Sequence, residues 1–447
     1  MNPSAIAHHR FGLGAQPNAE VLADPQRWLL SQFSTYEPLP AIWKAHSSTH
    51  AQLRIWNEMQ RGVRQAPEGQ RSGIREAYLR EGSRIYQAAA GARIASALQT
   101  QTPFVERLVH FWANHFAVSV DKLLMVGFAG CFEAEAIRPH VLGRFEDMMV
   151  AVAQHPAMLL YLDQAQSVGP NSAVGARGRG LNENLAREIL ELHTMGVRSG
   201  YTQEDIKEFA RALTGWTLPG NEGIEQSISN FRFVPALHEP GARTILGKTY
   251  SDTGEGQARA VIRDLAASPV TARHIATKLA RHFVSDSPPP ALIQRLADTF
   301  LQNGGNLVSV YRELIGASEA WQPVAQKFKS PWDWLISSLR ALNRGSVEAS
   351  QVTSLLNQLG QPVWRPGSPA GFQDTDAAWA APDALIRRVE IAQRLAESSD
   401  AVVDARKLGP LVLQGALSER TSRAIALAES GSSAIALLLV SPEFLRR

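Results

Sequence analysis

Apolar residues recur at spacings of three and four from about Asp24 to Ser119 and again from Asp121 to Asp163, the period of helices that turn one face to a core. Pro103 falls at the first turn of a helix running to about Val118, where its missing N–H costs nothing. Thr202, followed by Gln203, Glu204 and Asp205, has the make-up of an N-cap with an acidic first turn and opens a helix that ends near Gly215. Two stretches interrupt the pattern. Ser167 to Gly180, reading SVGPNSAVGARGRG, predicts a long loop, a kind of segment that often carries function. Pro219 to Gly256 holds FRFV at Phe231 to Val234 and RTIL at Arg243 to Leu246, and predicts a small β-hairpin. Helical pattern then resumes from Gln257 to about Leu342. Gly360 to Pro382, with Pro362, Pro366, Pro369, Trp364, Phe372 and Trp379, reads as an aromatic loop lying over the body, and helices close the chain near Phe444.

The expected class is therefore all-α, a large multi-helix body with one small β-hairpin insertion at about 229–248. An N-terminal helical region at 1–218 carries the most informative helix, the insertion occupies 219–256, and a C-terminal helical region at 257–447 is expected to fold with the first as one compact body. With 447 residues, 45% of them hydrophobic and 19% charged, the chain is long enough for a sizeable core. Its 45 basic residues against 42 acidic ones leave a net charge of only +3, which argues against a nucleic-acid partner. Cys131 is the only cysteine, so no intramolecular disulfide forms, and its apolar flanks predict a buried thiol. His8, His9 and Arg10 interrupt the N-terminal stretch where an export signal needs apolar residues, and no run of 18 apolar residues occurs. The expectation is a cytoplasmic chain with no transmembrane segment, unless a partner or prior processing carries it elsewhere.

Candidate chemistry concentrates in the helix from Leu181 to Gly196. On a wheel of about 100° per residue, Leu181, Leu185, Leu192 and Met195 form one stripe with Glu188 in its middle. A carboxylate in such a stripe either pairs with a cation or donor or becomes neutral, and active sites use both outcomes. The helix from Pro103 lines up Phe104, Leu108, Phe111 and His115, so His115 points inward. A His115 and Glu188 couple can serve as general acid and base, with Asn184 and His193 beside it. A weaker alternative makes His115, Glu188 and His193 metal ligands, although the spacing fits neither HExxH nor a Glu-x-x-His pair. Arg177 and Arg179 in GARGRG, directly before the helix, suit an anion, as do Arg187, Trp216 and His238 nearby in the sequence. No strand precedes that loop and it lacks a P-loop's Gly-Lys-Ser/Thr ending, which argues against a nucleotide. Without GxSxG, a Cys/His dyad signal or a paired-Asp signature, the commonest hydrolase readings drop out.

FWANHFAVS at Phe111 to Ser119, GLNENLAREILELHTMGV at Gly180 to Val197 and GYTQEDIKEFARALTGW at Gly200 to Trp216 resemble the bacterial family catalogued as domain of unknown function 1800. AHHRFGLG near the start and KLARHFVSD from Lys278 fit the same resemblance, which covers nearly the whole chain. It places motif positions at His115, Asn182, Glu183, Asn184, Arg187, Glu188, Glu191, His193, Thr202, Gly215 and Trp216. It implies no particular activity. It also implies an alkaline-phosphatase-like partner that bears an export signal, and hence a shared complex or pathway. The chain departs from the family pattern at His238-Glu239, where Asp commonly follows the His, and after Trp364, where a Gly-Trp pair is usual.

Three readings stay open on these residues. One is an enzyme acting on an anionic or polyhydroxylated substrate, with His115 and Glu188 as acid and base. The second is a noncatalytic accessory or binding protein for the phosphatase-like partner, in which the polar helix is a structural latch; a metalloprotein is the third. No cofactor is specified.

Overall fold

The computed structural model describes residues 1–44, 47–175, 180–220, 230–398 and 404–447. Thirteen helices of ten residues or more lie among them: α1 (Pro25–Thr35), α2 (Thr49–Gln65), α3 (Arg71–Gln99), α4 (Pro103–His115), α5 (Phe145–Gln154), α6 (Gln203–Leu213), α7 (Glu255–Ala266), α8 (Pro269–Phe283), α9 (Pro290–Gln302), α10 (Leu307–Gly316), α11 (Pro331–Ala341), α12 (Ala349–Gln358) and α13 (Pro382–Glu397). Their starts follow local chemistry. Proline occupies the first turn of α1, α4, α8, α9, α11 and α13, where no N–H is needed. Side chains of Asp24, Ser48, Ser268, Asn306 and Ser330 accept orphan N–H groups at their helix starts. Thr202 and Asp205 close a reciprocal capping box at α6, as the spacing predicts.

Helix α4 runs through the middle of the body. Phe104, Leu108, Phe111 and His115 are buried on one side, and Glu106, Arg107 and His110 are buried on the other. Charges buried there must be matched. Both oxygens of Glu106 accept from Arg138, at 2.8 and 2.7 Å, while Arg107 donates to the Gly12 carbonyl at 2.7 Å and to Asp333 of α11 at 3.1 Å. Helix α3 packs against α2, α11 and α12, and α8 packs against α9, which packs on α10. The rings of Phe11 and Phe283 each lie 5.6 Å from that of Phe104, in edge-on contact. One contiguous apolar cluster extends from Ile6 to Phe444.

The β structure is a small insertion, as expected, but its pairing differs from the expected hairpin. Strand β1 (Trp216–Thr217) pairs antiparallel with β2 (Arg232–Phe233), and β3 (Arg243–Ile245) pairs with β4 (Lys248–Tyr250). The two-residue turn between β3 and β4 explains why. Leu246 and Gly247 both take positive φ, 51° and 75°, the geometry of a tight hairpin turn. RTIL therefore folds back on the residues just after it rather than on FRFV. Among the described residues no helix is long and apolar enough to cross a membrane.

Candidate functional site

The helix singled out by its sequence is shorter and rotated relative to the expectation. Asn184–Glu188 is α-helical, and Ile189–His193 continues as a π-turn. The buried residues are Leu185, Ala186, Ile189, Leu190 and His193, which places the inward face roughly 100° from the stripe that contains Glu188. Glu188 is consequently half-buried at the edge. Burial and the neighbouring Glu191 push its carboxyl upward, against Arg187.

No His115–Glu188 couple forms. His115 donates from Nε2 to the His193 carbonyl oxygen at 3.1 Å, and among the described residues Glu188 has neither a hydrogen bond nor an ion pair. His193 is buried against Phe116, with ring centroids 5.2 Å apart, and neither of its ring nitrogens has a partner. Arg187 is paired with Glu183 at 3.0 Å and Glu191 at 3.5 Å. Asn184 is exposed. Trp216 is buried against Phe231, and His238 donates from Nδ1 to the Thr214 carbonyl at 2.8 Å. Arg177 and Arg179 lie outside the described residues. No group of three His, Cys, Asp or Glu side chains among the described residues is disposed to hold a metal ion, so the triad of His115, Glu188 and His193 is not a ligand set.

His115 instead lines a cavity of about 310 Å³ between the C-terminal ends of α4 and α8, the start of α11 and the segment from Gln361 to Thr375. That segment is the expected aromatic loop, and its closure depends on one glycine. Gly371 has a φ of +76°, and a Cβ there would stand 2.2 Å from the Asn114 carbonyl oxygen. Asn114 of α4 then bonds Phe372 twice, accepting its N–H at 2.7 Å and donating to its carbonyl at 2.9 Å. Trp332, Trp364 and Phe372 supply aromatic wall.

Five ionisable side chains of the cavity have partners. His282, near the end of α8, lies 2.6 Å through Nδ1 from Asp374 Oδ2. Because a carboxylate only accepts, Nδ1 carries the proton, and the lone pair sits on Nε2, which is buried without a partner. Burial opposes the charge of Asp374, but His282, Lys327 and Arg447 outweigh it and hold its carboxyl well below the usual range. Lys327 Nζ is 3.2 Å from Asp374 Oδ1. Burial likewise lowers the His282 imidazole, partly offset by Asp374, so it is neutral near pH 7. Asp333 is clamped between Arg107 at 3.1 Å and Arg447 at 3.2 Å. His110 accepts on Nδ1 from Trp332 Nε1 at 3.1 Å, and Arg93 contacts Glu133 at 2.6 Å.

Lys278 and Arg281 of α8 are different. Both line the cavity, and neither has a hydrogen bond or an ion pair among the described residues. The Nε of Arg281 is buried without a partner. Burial first, then Arg281, lower the Lys278 ammonium to about 8, with Asp374 opposing. Both cavity carboxylates are already matched to cations, so the side-chain charge left over is positive. His115 adds a second unpartnered imidazole nitrogen, Nδ1, on a ring that burial and Lys278 keep neutral.

Of these groups only His115 stood out in sequence. Lys278, Arg281 and His282 do carry a signal, polar groups at spacings of three and four on one face of α8, within the KLARHFVSD segment. Asp374 carries none, since it lies 92 residues from His282 in an irregular loop. A family model described as "Protein of unknown function (DUF1800)" matches residues 6–446. No curated protein and no solved structure matches the chain.

Proposed function

This chain belongs to the DUF1800 family, and we propose that it is an enzyme that binds a small anionic substrate in the cavity at the end of α8 and moves a proton on it with His282. The observation that carries the reading is the His282–Asp374 pair, bonded at 2.6 Å on one ring nitrogen and unpartnered on the other, in a cavity whose unmatched side chains are cations. A carboxylate that fixes the tautomer and orientation of an imidazole is the arrangement general bases use. Arg281 anchors the anion, since a guanidinium presents several donors to a carboxylate or phosphate. Trp332, Trp364 and Phe372 exclude water around it.

The test is a turnover screen of small carboxylates and phosphate esters followed by proton NMR, with His282→Asn as reference. At least one compound is expected to be consumed, with the rate falling by about 10²–10⁴ in His282→Asn. An equal rate in that variant, or consumption of none of the panel, overturns the reading.

A further inference from the structure

We infer that Lys278 is a nucleophilic amine that condenses with the carbonyl carbon of a small oxo acid held in this cavity. The inference rests on the proposed anion-binding site and names its substrate class. Lys278 is half-buried on the cavity wall, yet no carboxylate lies within ion-pair distance among the described residues. The two nearby carboxylates are committed elsewhere, Asp374 to His282 and Lys327, and Asp333 to Arg107 and Arg447. The charges that act on the amine are the committed Asp374 carboxylate and the Arg281 guanidinium. Arg281 is one turn along the same helix, and His115, His193 and His274 lie within electrostatic reach. A lysine half-buried in a cavity beside another cation, with no ion-pair partner, has the setting of an imine-forming amine. The lowering of its ammonium to about 8 agrees with that placement.

The residues on that turn supply the rest of the step. Arg281 holds the acid group, and His282, four residues after Lys278 on the same cavity wall, keeps an Nε2 without a partner. Neutral Nζ attacks the carbonyl carbon, a C–N bond forms, and the carbonyl π electrons move to oxygen. The oxygen takes one proton from solvent, and His282 Nε2 accepts a proton from Nζ and returns it to the hydroxyl, which leaves as water, so amine, ketone and one solvent proton give protonated imine and water with no oxidant or reductant. Aromatic walls limit water that would reverse the condensation.

The experiment incubates the full chain at pH 7 with pyruvate and sodium cyanoborohydride, then maps the reduced adduct over its eight lysines by peptide mass spectrometry. Exposed Lys248 and Lys407 serve as internal references. A shift from 10.5 to about 8 raises the neutral fraction at pH 7 by more than ~100-fold, so Lys278 is expected to label more than ~10-fold faster than the references. Oxalate, which carries the charge without a reactive carbonyl, is expected to block it, and Lys278→Arg to abolish it while keeping the melting-temperature rise caused by oxalate. Labelling of Lys278 at the reference rate, or insensitive to oxalate, overturns the imine. If oxalate and pyruvate still raise the melting temperature in that case, the anion site stands without it. If neither labelling nor a melting shift occurs, both readings fail together.

Discussion

Two polar regions of this molecule invite comparison, the helix at Asn184–His193 and the cavity at the end of α8. The first is dense with recognisable residues, and its charges largely satisfy one another near the surface, as Arg187 does between Glu183 and Glu191. The second draws its groups from segments far apart in sequence, and some of them are left without partners. Side chains clustered along one helix solve their electrostatics locally, with water to help. Groups brought together only by folding must be satisfied by one another or by a ligand.

The comparison breaks first if the cavity's ion clusters prove dispensable. Asp333→Ala would leave Arg107 and Arg447, both nearly inaccessible to water, without their shared carboxylate. A loss of about 3–5 kcal/mol is expected in urea denaturation. Arg187→Ala in the other region removes two partly exposed pairs and is expected to cost less than ~1 kcal/mol. Equal losses from the two would remove the distinction.

Acid should test the buried imidazoles of both regions next. Burial holds His115 well below its ordinary value and His193 down to about 3, so both stay neutral in the folded protein while the unfolded chain takes up protons below 6.5. Stability is therefore complete above pH 6.5 and falls as pH drops toward the folded values. Each imidazole contributes up to about 1.4 kcal/mol per pH unit through that window. Below about 4, protonation of Asp333 and Asp374, whose folded carboxyls sit lower than in the unfolded chain, removes stability in the same direction. Urea midpoints measured from pH 7.5 to 4.5 test this, and a flat profile would contradict neutral burial of the two imidazoles.

Much of the architecture could be read from residue order because it is local. Pro103, the Thr202–Asp205 box and the three-and-four spacing of apolar residues each fix a helix by contacts within a turn or two. The inward direction of His115 was legible for the same reason. The face of the Asn184–His193 helix was not, because weight on Leu181 and Leu192 hid the tighter set of Ala186, Ile189 and Leu190, and because a π-turn departs from the regular wheel. Asp374 was out of reach altogether. Its role exists only once Gly371 and Asn114 pin the loop against α4 and bring the carboxylate to His282.

Glu188 gives the smallest effect and the finest test of the contrast. Its carboxyl is raised, by burial first and by Glu191 second, so the folded protein holds the proton more tightly than the unfolded chain. That sign means its contribution is fully present below 4.5 and is lost as pH rises through the folded value, leaving the ionised group mildly unfavourable at pH 7. Because the side chain is only half-buried, solvent screens most of this. Glu188→Gln is therefore expected to leave stability unchanged or raise it by no more than ~0.5 kcal/mol at pH 7, with any gain vanishing below pH 4.5, and to leave labelling of Lys278 by pyruvate at the parent rate. A Glu188→Gln protein that loses several kcal/mol, or whose Lys278 no longer reacts, would join the two regions into one site and return the carboxylate to the centre of the chemistry.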